Sequence, residues 1–224
     1  MADMTMDHPG GATTDSAGTG RRWPAAWPGV AFVVLFVVAV LNYNIPNDDD
    51  PDKTWVNFFA TRGNRVQVLL TGFMLVFAAL VLLVFILRVY ERVVASGATR
   101  DPLPLMFGGV SSALIAAGGL VGATVSGSTI FGQVPVPTNA DLLRYSTELL
   151  FPLVFLGGMF PLAVFMVLVT WRAQRSGYFG TAMTVFSYVA AAAAVASVMF
   201  FPIAVVLIWM LAVSVVLVRR PAVR

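Results

Sequence analysis

The run VQVLLTGFMLVFAALVLLVFIL, residues 66–87, decides the fold. It holds no charged side chain and ends abruptly in Arg88, Glu91 and Arg92. As a helix it would be about 33 Å long, against a hydrocarbon core of ~30 Å that takes roughly 20 residues to cross. A helix that is apolar on every face has no side to offer to water. The run therefore predicts a membrane-spanning helix and not an amphipathic helix of a soluble domain.

The same ruler, moved outward, finds five more spans. Pro28–Tyr43 predicts the first, with Pro28 suited to the opening turn and Trp23 and Trp27 to the interface. After Pro102 and Pro104, the chain is uncharged from Leu103 to Ala140, too long for one span. It predicts a third span over 105–125 and a loop from Gly127 to Pro137. Asn139–Trp171 predicts an overlong fourth span, tilted or kinked at Pro152 and Pro161. Ser176–Val218 would be about 65 Å long as one helix. It predicts two spans, 181–199 and 202–218, folded back around Phe200 to Pro202, because the residue before a proline avoids the α region.

The expected architecture is an all-α membrane protein with a six-transmembrane-helix bundle over residues 27–220 and a short tail over 221–224. Residues 1–26 are expected to form a disordered tail, since Met1–Gly20 is rich in Gly, Ser, Thr and Asp and has no apolar periodicity. No basic start precedes the first apolar run, and Asp48, Asp49 and Asp50 follow it in place of a small-residue cleavage site. The first span is thus expected to be retained.

Composition agrees with lipid as the main solvent. Hydrophobic residues make up 58% of the 224 and charged residues 11%, where soluble domains carry about 25% charge. The net charge of +3 comes from short clusters of Arg between apolar runs, which is a topology signal and no sign of a nucleic-acid partner. Ten basic residues fall on one side of the six-span scheme: Arg21, Arg22, Arg88, Arg92, Arg100, Arg172, Arg175, Arg219, Arg220 and Arg224. Only Lys53, Arg62, Arg65 and Arg144 fall on the other. Both termini are therefore expected in the cytoplasm, with the acidic run Asp48–Asp50 and Asp52 outside a plasma membrane.

Several chemistries are excluded at this level. There is no cysteine, and the single histidine is His8, so thiolate, histidine-ligated haem and Ser-His-Asp chemistry have no residues to work with. The middle of each expected span lacks Asp, Glu, Lys and Arg, which argues against a buried proton relay. No catalytic, cofactor-binding or metal-ligating set is expected, and no cofactor.

Two groups of residues stand out. Asp141, Arg144 and Glu148 share one face at i, i+3 and i+7, at the start of the overlong fourth span. With Arg62 and Arg65 they could line an outer polar vestibule. The plainer reading has Thr138 and Asp141 capping the helix, Arg144 paired to Glu148, and Arg62 and Arg65 reaching for the interface. The second group is glycine: Gly118 and Gly122 form a G-x-x-x-G on the third span, and Gly157 and Gly158 sit near Pro161 on the fourth. Small residues let helix backbones approach closely in lipid, so these spans are expected to pack against each other. Between the first two spans, KTWVNFFATRGNR places Trp55, Phe58 and Phe59 at i, i+3 and i+4, a short amphipathic helix suited to the outer interface.

The run FFATRGNRVQVLLTGFMLVFAALVLLVFILRVYER, the glycine-rich third span and the closing FFPIAVVLIWMLAVSVVLVRR resemble uncharacterised actinobacterial six-helix integral membrane proteins of about this size. The resemblance covers most of Trp55–Arg220. It rests on Phe58 and Phe59, on Arg62 and Arg65 before the second span, and on Trp209 in a last span ending in Arg219 and Arg220. It implies a membrane helix bundle and carries no activity.

The expected function is non-enzymatic: a scaffold or accessory subunit, partnered by the lipid bilayer and by another membrane protein or a second copy, packing through the glycine-rich faces of spans three and four. The second reading is a facilitator or binder of a small solute or lipid, with the outer charged cluster as its vestibule. An enzyme at the outer interface using Glu148 as acid or base is a third.

Overall fold

A computed structural model describes residues 26–199 and 202–219, and every regular element among them is helical. In chain order these are α1 (Trp27–Asn42), α2 (Asp52–Ala60), α3 (Arg62–Ala95), α4 (Leu103–Ile130), α5 (Ala140–Glu148), a π-helical turn (Pro152–Gly158), α6 (Met159–Arg175), α7 (Thr181–Ala196) and α8 (Ile203–Arg219). The expected tail over 1–25, the centre of the turn at Phe200 and Phe201, Arg220 and the tail over 221–224 lie outside the described residues.

Three helical units are long and apolar enough to cross a membrane: α3 with 34 residues, α4 with 28, and the 36-residue unit Ala140–Arg175 made of α5, the π turn and α6. Helices α1, α7 and α8 are apolar but shorter, at 16, 16 and 17 residues. Helix α3 contains the run 66–87 and continues past it at both ends, so Arg62 and Arg65 open it, while Arg88, Glu91 and Arg92 ride on its last turns. The loop expected from Gly127 starts only after Ile130. In the final turn of α4 the hydroxyls of Ser128 and Thr129 donate back to the carbonyls of Val125 and Ser126.

Helix α3 packs between α1 and α4, α6 packs on α4 and α7, and α8 closes the bundle against α1 and α7. One continuous core results, with Phe32, Phe85, Ile115, Phe165 and Trp209 all fully buried. A close backbone-to-backbone contact joins α3 to α4. A side chain added at Gly119 would lie 2.6 Å from the Gly72 carbonyl oxygen and 2.9 Å from Leu75 Cβ, so these two glycines let the backbones touch.

A polar tie crosses the α7–α8 contact: the Trp209 indole donates to Ser187 Oγ at 2.8 Å, and Ser187 Oγ donates to the Met183 carbonyl at 2.7 Å. Ser187→Ala would strand a buried indole N–H. The expected loss is about 1 kcal/mol of unfolding free energy in detergent, since hydrogen bonds inside membrane bundles are individually modest. Trp209→Phe in the Ser187→Ala background should then cost less than it does in the unmodified chain, and a fully additive pair of losses would refute the tie.

Side-chain bonds mark the two ends of the bundle. Tyr43 Oη donates to the Thr147 carbonyl at 2.9 Å and Gln67 Nε2 to the Asn42 carbonyl, gathering α1, α3 and α5 at what we call the cap end. At the far end Ser96 Oγ meets Ser176 Oγ at 2.8 Å, and Tyr90 Oη donates to the Asp101 carbonyl.

Candidate functional site: the cap and the cleft beneath it

The cap is built from α2 and α5. Helix α2 does present one apolar face, but Trp55 and Phe59 are fully buried in a small core with Val68, Ala140 and Leu143. The expectation that this face lies on the membrane interface is thus corrected: α5 covers it. The two rings stack at 6.4 Å, and the Trp55 indole donates to the Asn47 carbonyl at 3.2 Å, fixing the loop before α2.

Arg144 holds the two cap helices together. Its Nη1 pairs with Asp52 at 2.8 Å and with Asp141 at 3.5 Å. Its Nη2 donates to the Asp50 carbonyl at 2.6 Å, and its guanidinium lies 5.7 Å from the Trp55 ring centroid. Apart from the Asp141 pair, which lies within α5, these contacts join α5 to α2 and to the loop between α1 and α2. The expected Arg144–Glu148 pair does not form. Glu148 lies instead within hydrogen-bonding reach of Asp48. Thr138 does not cap α5 either: the Asn139 side chain accepts from the backbone N–H of Asp141 at 2.9 Å and of Leu142 at 3.3 Å.

The remaining members of the expected cluster lie apart. Arg65 Nη1 donates to the Phe59 and Ala60 carbonyls, satisfying the last turn of α2, while Arg62 is exposed at the start of α3. The structure brings together Asp141 and Arg144 as a tie and sets Glu148 beside Asp48, still within electrostatic range of Arg144.

Below Glu148 the helix changes character. Pro152 has no N–H to donate to the Glu148 carbonyl, and the chain widens into the π turn Pro152–Gly158. Such turns open space and recur at functional sites. Here the space is a cleft of about 90 Å³ between α1, α3 and the π turn, walled by Phe36, Tyr43, Thr71, Leu75, Phe151 and Phe155 among others. Tyr43 meets Phe151 edge-on at 5.7 Å, and Phe36 meets Phe155 at 6.4 Å. The wall is apolar except for the Tyr43 hydroxyl, which is bonded to the Thr147 carbonyl, and Thr71, only 2% exposed, whose Oγ1 has no hydrogen-bond partner among the described residues. Sequence reasoning passed over Thr71; its one signal was a hydroxyl in the otherwise apolar run 66–87.

The glycines of the second group are spent inside the chain. A side chain at Gly118 would meet Val154 Cγ2 at 2.7 Å, one at Gly122 would meet Leu150 Cδ1 at 2.7 Å, and one at Gly158 would meet Ile115 at 2.5 Å. Gly157 is looser, with Leu114 at 3.4 Å. These faces join α4 to Leu150 and the π turn, the packing of spans three and four that the small residues led one to expect.

Fold and site together define a class: an all-helical protein with three helices long and apolar enough to cross a membrane, a charged cap on one end and an aromatic cleft under it. No family model, curated protein or solved structure matches the chain.

Proposed function

We propose that the chain is a multi-pass plasma-membrane protein, six spans with both termini cytoplasmic, that binds an amphiphile in the cleft between α1, α3 and the π turn without transforming it chemically. The carrying observation is the unpaired Thr71 hydroxyl in the apolar wall. A buried hydroxyl without a partner costs about 1–3 kcal/mol, which a polar atom of a ligand would offset. The cleft's about 90 Å³ is well below the ~300 Å³ and more of drug-sized sites, so it takes only a few methylenes of an alkyl chain and leaves the rest along the lipid-facing surface.

The mouth sets the polar end of the ligand. Asp48 and Glu148 do not line the cleft but lie close enough to the Tyr43 phenol in its wall to act on it electrostatically, so a cationic or hydrogen-bond-donating head is favoured there over an anionic one. The orientation is supported by charge: among the described residues Arg88, Arg92, Arg100, Arg172, Arg175 and Arg219 lie toward the far end, against Lys53, Arg62, Arg65 and Arg144 toward the cap.

Titration of the nanodisc-embedded protein with dodecylamine and, separately, dodecyl sulfate, read by native mass spectrometry, tests the reading. The amine should be retained in preference, and Glu148→Gln should weaken it by about tenfold, the equivalent of ~1.4 kcal/mol. Thr71→Val should weaken binding while leaving the empty protein as stable or more so, because it removes the unpaired hydroxyl at constant shape. Equal retention of both probes, unmoved by either substitution, would end the proposal.

A further inference from the structure

The far end of the bundle holds a second, differently built cavity of about 300 Å³, formed by the α3–α4 connection and the last turn of α6. Gly97, Thr99, Asp101, Trp171, Arg172 and Arg175 line it. Arg172 is only 7% exposed, and its Nη2 pairs with Asp101, while its Nη1 has no partner among the described residues. Arg175 sits over the Trp171 ring, its guanidinium carbon 3.9 Å from the ring centroid, and makes no ion pair among the described residues. A guanidinium held over a ring keeps its N–H edge available, in the fork geometry that grips a phosphate. Two guanidinium groups against one carboxylate leave the cavity net positive. Asp101 and the terminal carbonyls of α3 and α6 oppose an anion there, so the attraction rests on the two arginines.

An apolar groove approaches this cavity along the same helix. It lies between α6 and α7, measures about 390 Å³, and is lined by Phe160, Val164, Val167, Leu168, Tyr188 and Val195 among others. On α6 the residues Phe160, Val164, Val167, Trp171 and Arg175 succeed one another at spacings of three and four, which places them on one stripe. Arg175 stands about 12 Å beyond Val167 along the helix axis. The stripe thus reads apolar, aromatic and cationic in order, which is the order of chain, interface and headgroup in a phospholipid.

We infer that this end binds an anionic phospholipid, its phosphate held by Arg172 and Arg175 and one acyl chain laid in the α6–α7 groove. The inference is independent of the cleft at the cap end, and either can fail without the other. A free phosphate shares the headgroup chemistry but has no use for the groove.

The test uses the full chain in detergent, titrated with phosphatidylglycerol, phosphatidylcholine and inorganic phosphate and read by native mass spectrometry. Phosphatidylglycerol should be retained about tenfold over phosphatidylcholine, and Arg175→Gln should abolish that preference, as expected for one lost charge-assisted contact. Val167→Trp, which fills the groove from an exposed position, should weaken the lipid without the arginines being touched. Arg88→Gln, an exposed arginine on α3 outside the cavity, should change nothing. Equal retention of the two lipids would overturn the site. So would an effect of Arg88→Gln equal to that of Arg175→Gln, which would mark a general attraction to a basic surface. Inorganic phosphate displacing the lipid at matched concentration would show a free-phosphate site and overturn the lipid assignment.

Discussion

Gly119→Ala is expected to lower the unfolding free energy of the bundle by about 3 kcal/mol, the upper part of the range for overpacking a filled core. The added methyl would sit 2.6 Å from a backbone oxygen, that of Gly72, and 2.9 Å from Leu75 Cβ. A side chain could rotate away; a carbonyl in the middle of a 34-residue helix cannot, so α3 and α4 must separate along their length. Gly109, on the same helix with open space around it, supplies the control: Gly109→Ala should be neutral or slightly stabilising, because alanine is the better helix former. Thermal or sodium dodecyl sulfate unfolding of the purified variants decides the matter. Equal behaviour of the two alanine variants would mean that the α3–α4 contact is not the tight joint described.

That joint also shows where the reading of the sequence stopped. The uncharged run 66–87 was enough to place a helix, because the length and apolarity of a segment are local properties. Gly118 and Gly122 were legible as a small-residue face for the same reason. Their neighbour Gly119 was legible as a small residue too, but its partner Gly72 was not, since a glycine face does not say which helix it meets. One face of α4 receives Leu150 and the π turn through Gly118 and Gly122, and an adjacent face receives α3 through Gly119. Two partners on neighbouring faces of one helix cannot be separated by spacing alone.

The cap was misread for a related reason. Pairing Arg144 with Glu148 follows from i, i+4 geometry on an isolated helix, where such a pair is worth only about 0.2–0.5 kcal/mol. Asp52 is 92 positions away in the sequence, and the fold brings it to the same guanidinium together with the Asp50 carbonyl and the Trp55 ring. Long-range contacts of this kind outweigh the local pair, and Glu148 is released toward Asp48. The carboxyl pair near Tyr43 owes its place to that competition. A residue that looked like part of a charged vestibule became its structural pin, and the residue next to it on the helix became the group available to a ligand.

Arg144→Met is therefore expected to loosen the cap without unfolding the bundle. The side chain is 19% exposed, while its partners Asp52 and Asp141 are 76% and 73% exposed, so solvent screens the ion pairs and they contribute little by themselves. The larger losses are the charge-assisted bond to the Asp50 carbonyl and the stacking over Trp55. Together these amount to about 2 kcal/mol, or roughly a thirtyfold rise in the open population of the cap. Amides of α2 should exchange with deuterium faster by about that factor, whereas those in the middle of α3 should keep their protection. Because Asp48 sits in the loop that Arg144 anchors through Asp50, the same variant should weaken amine binding at the cleft while Glu148 itself is intact. Arg65→Met, which removes bonds to the α2 C-terminus and leaves the Asp50 loop pinned, should free the end of α2 with less effect on amine binding. Unchanged exchange in α2 of the Arg144 variant would show that the apolar contact of Trp55 and Phe59 with Leu143 holds the cap unaided.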